Sequence, residues 1–174
     1  MGLAEQVGRR LKEARVEQRL SLSELARRSM IGKGTLSELE CGRRNPTLET
    51  LYALTTALGV PLSSILGPAK RTVISGSAVD AVLTERFEHA DAVTEVFRIG
   101  IRADAVQESA AHAPGTQEHI IVLRGTAQVG AVSSPHLVRT GEHIQWAADV
   151  PHLYGAPSGD VEAVLIVRYP VVHP

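Results

Sequence analysis

The chain has 174 residues, of which 44% are hydrophobic and 21% charged, and its formal net charge is −1. This ordinary composition excludes a collagen-like or wholly disordered protein. No apolar run approaches the ~20 residues that a membrane-spanning helix needs. The start of the sequence is charged within five residues and lacks an apolar segment, so we expect no secretory signal. The single cysteine, Cys41, excludes an internal disulfide and favours a reducing cytoplasm.

The near-neutral total hides an uneven distribution of charge. Residues 1–70 hold 11 Lys and Arg against 7 Glu, whereas residues 71–174 hold 7 Arg against 12 acidic residues and all seven histidines. The first part has apolar residues at helical spacing, and the second is rich in Val, Ile and Thr interrupted by Gly and Pro. We therefore predict two domains, 1–68 and 72–174, joined by a linker at 69–71.

The basic part predicts five helices. The first helix is predicted by an apolar stripe that recurs every three or four residues, at Leu3, Val7, Leu11 and Ala14. The third helix is expected at 33–40 and the short fifth helix at 61–66. The second helix is expected before the third, and the fourth before the fifth. Side chains or glycines that suit helix ends are expected at Ser21 or Ser23, at Thr47 and at Gly59.

Residues 6–66 resemble the xenobiotic-response-element (Cro/C1-type) helix-turn-helix family. The resemblance is carried by Leu-Ala, Thr-Leu-Ser, Leu-Glu, Gly-Arg, Pro-Thr-Leu and Leu-Gly-Val, which all fall at the family's spacing. It implies a five-helix domain that binds operator DNA as a dimer. The sequence departs from the family at Met30, where Gly is frequent, and at Gly32, where a Ser or Thr cap is usual.

The third helix is expected to enter the major groove, because its first residues are small and its outer face is polar. Lys33 is expected to reach guanine acceptors, and Glu38 to accept from cytosine. Arg43 and Arg44 are expected to contact phosphates, which set affinity and register. The alternative is a helical bundle whose charges are merely solvated. The predicted DNA-contacting set is Lys33, Gly34, Thr35, Ser37, Glu38, Arg43, Arg44 and Asn45.

The acidic part predicts short strands in a sandwich or jelly-roll. The expected strands are 79–88, 93–101, 118–124, 126–132, 143–147 and 161–169. Residues 75–170 resemble the cupins through two motifs, Glu-x-x-x-Val-Leu-x-Gly from Glu118 and Gly-Glu…Pro-His ending at His152. The predicted fold class is therefore an α + β two-domain chain, with an N-terminal five-helix bundle and a C-terminal all-β cupin (jelly-roll) barrel.

The resemblance to cupins places His112, Glu118 and His152 at metal-ligand positions, while Pro114 replaces a further family histidine. Two imidazoles and a carboxylate can hold Zn²⁺ with an open position, or Fe²⁺ as a facial triad. Strand alternation places His119 on the face opposite Glu118, so His119 is not a first-choice ligand. The alternative is a metal-free polar pocket, in which a buried Glu118 needs hydrogen-bond donors or has a raised pKa.

Three further residues border this cluster. Gln117 and Tyr154 are predicted to contact a small effector, whereas Trp146 is expected to belong to the core.

Together these features favour a cytoplasmic one-component transcription factor. We expect a homodimer on a palindromic operator of double-stranded DNA. The second domain is expected to sense a small-molecule effector, either directly or through a bound divalent metal, Zn or Fe. The alternative is a metal-dependent cupin enzyme, an oxygenase or isomerase, that carries an accessory DNA-binding domain. A third reading makes the β domain a ligand-free dimerisation module. No membrane partner is expected.

Overall fold

The computed structural model of the chain describes residues 3–66 and 73–171, and it divides the chain into two compact units, Met1–Pro68 and Ala69–Pro174. Within these ranges five helices precede ten strands, and all strand pairings are antiparallel, which confirms the predicted α + β class with an N-terminal helical part and a C-terminal all-β part. The predicted linker at 69–71 lies outside the described residues. No helix in the described ranges is long and apolar enough to cross a membrane.

The helical unit is built on a leucine-rich core. Its helices are α1 Leu3–Glu17, α2 Leu22–Ser29, α3 Lys33–Glu40, α4 Leu48–Leu58 and α5 Leu62–Leu66. Every helix buries apolar side chains, among them Val7, Leu11, Leu25, Leu36, Leu39, Leu51, Leu54, Leu62 and Ile65. Ser21 accepts from the Glu24 N–H and Thr47 from the Thr50 N–H, so the expected N-caps of α2 and α4 are present. Gly59 ends α4 in the left-handed conformation, as expected.

The turn between α2 and α3 contains both departures from the family pattern. Met30 ends α2 in the left-handed region, at φ 58°, and is almost fully exposed. That conformation costs a residue with a Cβ about 1–2 kcal/mol, which explains the frequency of glycine at this position. Gly32 begins α3 without a side-chain cap. The short connection is kept, so the two helices retain a helix-turn-helix order.

Helix α1 lies close against α3. A Cβ added at Gly8 would stand 2.2 Å from the Leu39 carbonyl oxygen, so only glycine fits there. Two turns further on, Arg15 forms a fork with the Glu40 carboxylate, with N–O distances of 2.6 and 2.7 Å. Arg15 also donates to the Leu20 carbonyl. These contacts fix α3 on α1 and leave its opposite face to solvent.

The β unit consists of two sheets. Its strands are β1 Val73–Ser75, β2 Val79–Glu88, β3 Ala92–Ile101, β4 Val106–Ser109, β5 Gln117–Arg124, β6 Thr126–Ala131, β7 His136–Arg139, β8 His143–Ala147, β9 His152–Gly155 and β10 Val161–Pro170. The larger sheet has the order β1-β2-β3-β10-β5-β8, and the smaller has the order β4-β9-β6-β7. All six predicted strands are present to within a residue at each end, and β1, β4, β7 and β9 are additional.

The inner faces of the two sheets are apolar. Alternate residues of β3, β5, β6 and β10 are buried, including Phe97, Ile99, Ile120, Val122, Val129, Leu165 and Val167. This period-two pattern is the one expected for sheets with one face on a core. Seven polar side chains are buried among the described residues of this unit, and they are Glu95, Gln107, Ser109, His112, Thr116, Glu118 and His152.

Candidate DNA-binding surface and metal centre

Helix α3 presents a polar face to solvent. Lys33, Gly34 and Glu38 are exposed and Thr35 and Ser37 half-buried, while the two leucines of the helix are buried against the core. The division follows from the 3.6-residue period, since positions three and four apart share a face. The structure therefore brings the predicted base-reading side chains to one accessible surface.

Gly34 is not required by the fold. A Cβ added there would meet no atom within 4 Å, and its backbone is ordinary helix. A glycine inside a helix costs about 0.5–1 kcal/mol relative to alanine, so the fold alone favours a larger residue at this position. Close approach of a partner to the backbone of α3 would account for the missing side chain.

The loop after α3 holds the other predicted DNA contacts. Arg43, Arg44 and Asn45 are all exposed. Arg44 lies 3.5 Å from the Glu38 carboxylate, and more than half of each side chain is accessible. An ion pair this exposed is worth little and exchanges easily for a phosphate or a base edge. The loop and the helix thus form one continuous polar surface.

In the β unit, three buried side chains from different elements meet between the sheets. Glu118 comes from β5 of the larger sheet, His152 from β9 of the smaller sheet, and His112 from the loop between β4 and β5. Their ligand atoms lie within 4.8 Å of one another. His112 Nε2 is 3.0 Å from Glu118 Oε1, and His152 Nε2 is 3.6 Å from Glu118 Oε2. The three residues that the sequence selected as ligands are therefore neighbours.

Backbone hydrogen bonds position the loop that carries His112. The His112 N–H donates to the Ala148 carbonyl, and the Ala148 N–H donates to the Thr116 carbonyl, with an N–O distance of 2.9 Å in each hydrogen bond. The Thr116 hydroxyl closes the loop by donating to the Ala113 carbonyl, and the Gly115 N–H donates to the Asp149 carboxylate. The loop is thus tied to the end of β8, which places His112 over Glu118.

The hydrogen bond of His152 determines its tautomer. Nδ1 lies 2.8 Å from the Val150 carbonyl oxygen. Because a carbonyl only accepts, Nδ1 carries the proton and Nε2 presents its lone pair to the cluster. Among the described residues Nε2 has no hydrogen-bond partner, although it is buried. A metal-binding histidine is held in this way, with its second nitrogen donating to a carbonyl or a carboxylate.

Glu118 is fully buried but remains a carboxylate. Burial, the largest influence, favours a raised pKa, but the hydrogen bond from His112, the electrostatic attraction of both imidazoles and the Tyr154 hydroxyl outweigh it and lower the pKa. Tyr154 donates to Glu118 Oε2. Of the two outcomes expected for a buried Glu118, the structure has the one in which donors surround the carboxylate.

The donor set and spacing suit a divalent metal. An ion about 2.0–2.2 Å from imidazole nitrogens and carboxylate oxygens brings those atoms to roughly 3–3.5 Å from one another. The Glu118 carboxylate oxygens lie 3.0 Å from His112 Nε2 and 3.6 Å from His152 Nε2. The lone pair of His152 Nε2 is available to bind an ion. Two imidazoles and one carboxylate also leave positions open for an exogenous ligand.

Two other residues, Gln117 and His119, lie on the outer face of β5 and point away from the cluster. Gln117, predicted to border the pocket, is exposed and lies on the face opposite Glu118. The structure does not bring it to the cluster, and the alternation argument applied to His119 also applies to Gln117. His119 lies outside as predicted, with Nδ1 3.3 Å from His143 Nε2. Partial burial and the His143 charge lower the pKa of His119.

Tyr154 and Trp146 face the cluster from two sides. The Tyr154 hydroxyl donates to Glu118, so this side chain lies beside the ligand cluster, and its ring lies 6.1 Å from that of Trp146. Trp146 is half-buried opposite Glu118 in the β5–β8 ladder. Sequence reasoning missed Ser109, which is buried opposite His152 in the β4–β9 ladder. A polar residue in a four-residue strand gives no sequence signal of its own.

The two units define a protein with a helix-turn-helix unit and a β unit of two antiparallel sheets. A helix-turn-helix family model, HTH_3, matches residues 11–65. The HTH-type transcriptional regulator SutR of Escherichia coli (strain K12) is 31% identical over 148 residues, which cover 83% of each chain. The immunity repressor protein of Bacillus phage phi105 is 27% identical over 144 residues, 78% of this chain and 97% of its own.

The likeness to solved structures extends beyond the helices. An HTH_3 family transcriptional regulator from Vibrio cholerae matches with a TM-score of 0.85 and 27% identity, over 97% of this chain and 98% of its own. The chain therefore belongs to the family of HTH-type transcriptional regulators, and it is a DNA-binding regulator of transcription.

Proposed function

We propose that this regulator binds a palindromic operator as a homodimer in the cytoplasm and senses a small effector at a divalent metal in its β domain. Buried His112, Glu118 and His152 carry this proposal, because their ligand atoms lie within 4.8 Å of one another and His152 Nε2 has no hydrogen-bond partner among the described residues. His112, Glu118 and His152 would hold the ion, which when bound supplies positive charge and open coordination positions.

On the DNA side, the proposal assigns base reading to Lys33, Gly34, Thr35, Ser37 and Glu38. Arg43, Arg44 and Asn45 contact the phosphate backbone. The exposure of α3 and the unexplained glycine at its start support this division. Two copies bound one helical turn apart match the two-fold symmetry of a palindrome.

On the sensor side, the site binds its ligand without converting it. Regulation needs a coupling of only ~1–3 kcal/mol between effector and operator, which ligand binding alone provides. An enzyme would release a changed product, so incubation of metal-loaded protein with a bound metabolite, followed by mass spectrometry, distinguishes the two functions. Recovery of the unchanged molecule supports the sensor, and turnover abolished by His112→Ala supports the enzyme.

The DNA contacts are tested by selecting duplexes from a random library and measuring affinity by fluorescence anisotropy between 50 and 200 mM KCl. Arg43→Ala is expected to weaken all duplexes alike and to reduce the salt slope by about 1, because it removes one phosphate contact. Lys33→Ala is expected to relax sequence preference. A wild-type chain that selects no sequence and shows no salt dependence contradicts the proposed DNA surface.

The metal is tested separately by elemental analysis of the purified chain and by titration with Zn²⁺ and Fe²⁺ after chelation. One ion per chain is expected, and His152→Ala removes it. Operator affinity of the chelated and the loaded protein is expected to differ by about 5- to 150-fold. Retention of the ion by His152→Ala contradicts the assigned ligands.

A further inference from the structure

Two buried donors beside the ligand cluster have no hydrogen-bond partner among the described residues. They are the Ser109 hydroxyl and the Trp146 indole N–H, and both atoms are inaccessible to solvent. A buried polar group left unpaired costs about 1–3 kcal/mol, and native proteins keep few of them. Two such groups in one place indicate that something absent from the protein chain accepts their hydrogen bonds.

Strand pairing places both donors next to the metal ligands. Ser109 is directly opposite His152 in the β4–β9 ladder, and Trp146 is directly opposite Glu118 in the β5–β8 ladder. Residues directly opposite in an antiparallel pair lie on the same face, with Cβ atoms about 4.5–5.5 Å apart. The two donors therefore flank the cluster, one from each sheet.

The chemistry of the donors restricts what they bind. An indole N–H only donates, and the serine hydroxyl has a proton to give, so their shared ligand has oxygen acceptors. The charge of the site adds a second restriction. A divalent ion with Glu118 as its one anionic ligand leaves a net charge of about +1 in a buried site, where uncompensated charge is costly.

The other buried carboxylate does not supply the missing negative charge. Glu95 is fully buried on β3, but its Oε1 lies 4.0 Å from the Arg86 guanidinium, and the Tyr169 hydroxyl is 3.4 Å from Oε2. Its charge is thus compensated by a cation of its own. The remaining charge at the cluster suits one monoanion, whereas a phosphate group brings about −1.5 to −2.

We propose that the metal-bound form of this site recognises a small carboxylate anion. One carboxylate oxygen takes an open position on the ion, and the carboxylate accepts hydrogen bonds from Ser109 Oγ and Trp146 Nε1. The effector is accordingly a carboxylic acid, or its recognition group is one. This inference depends on the metal site proposed above.

The test uses the full chain loaded with Co²⁺, whose visible absorption reports its ligands, and acetate as the probe. Wild-type protein is expected to show a saturable spectral change on addition of acetate. Ser109→Ala and Trp146→Phe are expected to keep the Co²⁺ spectrum and to bind acetate about tenfold or more weakly, since each removes one hydrogen bond to an anion. Ser133→Ala, which changes an exposed serine, is the matched control.

The outcomes separate the two proposals. If Co²⁺ gives no protein-dependent absorption, the metal site is wrong and the carboxylate inference is overturned with it. If the Co²⁺ spectrum is present but acetate leaves it unchanged, only the carboxylate inference is overturned. Equal acetate affinity in wild type, Ser109→Ala and Trp146→Phe also overturns it, because water then satisfies the two donors. Thermal melts of each variant confirm that it is folded, and the two variants test the donors independently.

Discussion

The two units of this regulator carry their polar groups in opposite settings. The helical unit exposes the side chains of α3 and its following loop over a leucine core, whereas the β unit encloses His112, Glu118 and His152 between two sheets. Exposed groups bind a partner with little effect on folding. Enclosed groups couple ligand binding to stability, because they are costly until a ligand satisfies them. The difference gives DNA recognition by the helical unit and the proposed ligand sensing by the β unit different thermodynamic consequences.

The largest expected effect is metal-dependent stabilisation of the β unit. A divalent ion at a thousandfold excess over its dissociation constant is expected to stabilise the fold by about 4 kcal/mol. Differential scanning calorimetry of chelated and Zn²⁺-loaded protein measures this as a shift of Tm. The shift is expected to disappear in His152→Ala and to persist in His119→Ala, whose imidazole lies on the outer face of β5. Loss of the shift in His119→Ala alone would place the ion elsewhere.

The next largest effect tests whether every arginine of the helical unit is available for DNA. Arg15 is mostly buried in its fork with Glu40. Arg15→Ala leaves that carboxylate unpaired and is expected to cost about 3 kcal/mol in urea denaturation. Arg9→Ala, which breaks an exposed pair with Glu13, is expected to cost at most about 0.5 kcal/mol. Equal costs would remove the distinction between structural and exposed cations.

A smaller effect separates folding from DNA binding within α3. Gly34→Ala is expected to raise the free energy of unfolding by about 0.5–1 kcal/mol, because the new methyl group meets no atom. The same change is expected to weaken binding to the selected duplex about tenfold by blocking close approach. Gly8→Ala is the control, since it collides with the Leu39 carbonyl and lowers stability. A Gly34→Ala protein with unchanged DNA affinity would remove Gly34 from the interface.

The smallest expected effect is a pH dependence at the surface of α2. Hydrogen bonds from Arg27 and Arg28 lower the pKa of Glu24 to about 2. A lowered pKa stabilises the fold above the ordinary carboxyl range near 4.3, and the contribution is lost as the pH falls toward 2. Glu24→Gln is therefore expected to be slightly less stable than wild type at pH 7 and equal to it near pH 2, by chemical denaturation. A difference that grows as the pH falls would contradict this sign.

The helical unit was largely predictable because its signals are local. Periodic leucines, the caps at Ser21 and Thr47 and the glycine at Gly59 act within a turn or two of the chain, so they determine where helices begin and end. The tight approach at Gly8 was not predictable, since it depends on a carbonyl 31 positions away.

The β unit was predictable only in part. Long alternating strands such as β2 and β10 were found, but β4 and β9 were missed, and these two carry Ser109, His152 and Tyr154. A four-residue strand that is buried on both faces, as β9 is, lacks the alternation on which sequence reasoning depends. Strand alternation places Gln117 on the outer face of β5, so its position next to Glu118 in sequence does not bring it to the cluster.

The sequence by itself determined the two-part organisation, the helix-turn-helix and the residue types available for a metal site. Charge, periodicity and short motifs are properties of residues that are close together in sequence, so they can be identified before the fold is known. The tertiary structure alone decided which nitrogen of His152 is free, how Glu118 keeps its charge, and which donors stand unpaired beside them. The His152 tautomer depends on the hydrogen bond between Nδ1 and the Val150 carbonyl, two residues away. The other two properties arise from contacts between strands far apart in the chain, and burial between the sheets gives those contacts their energy.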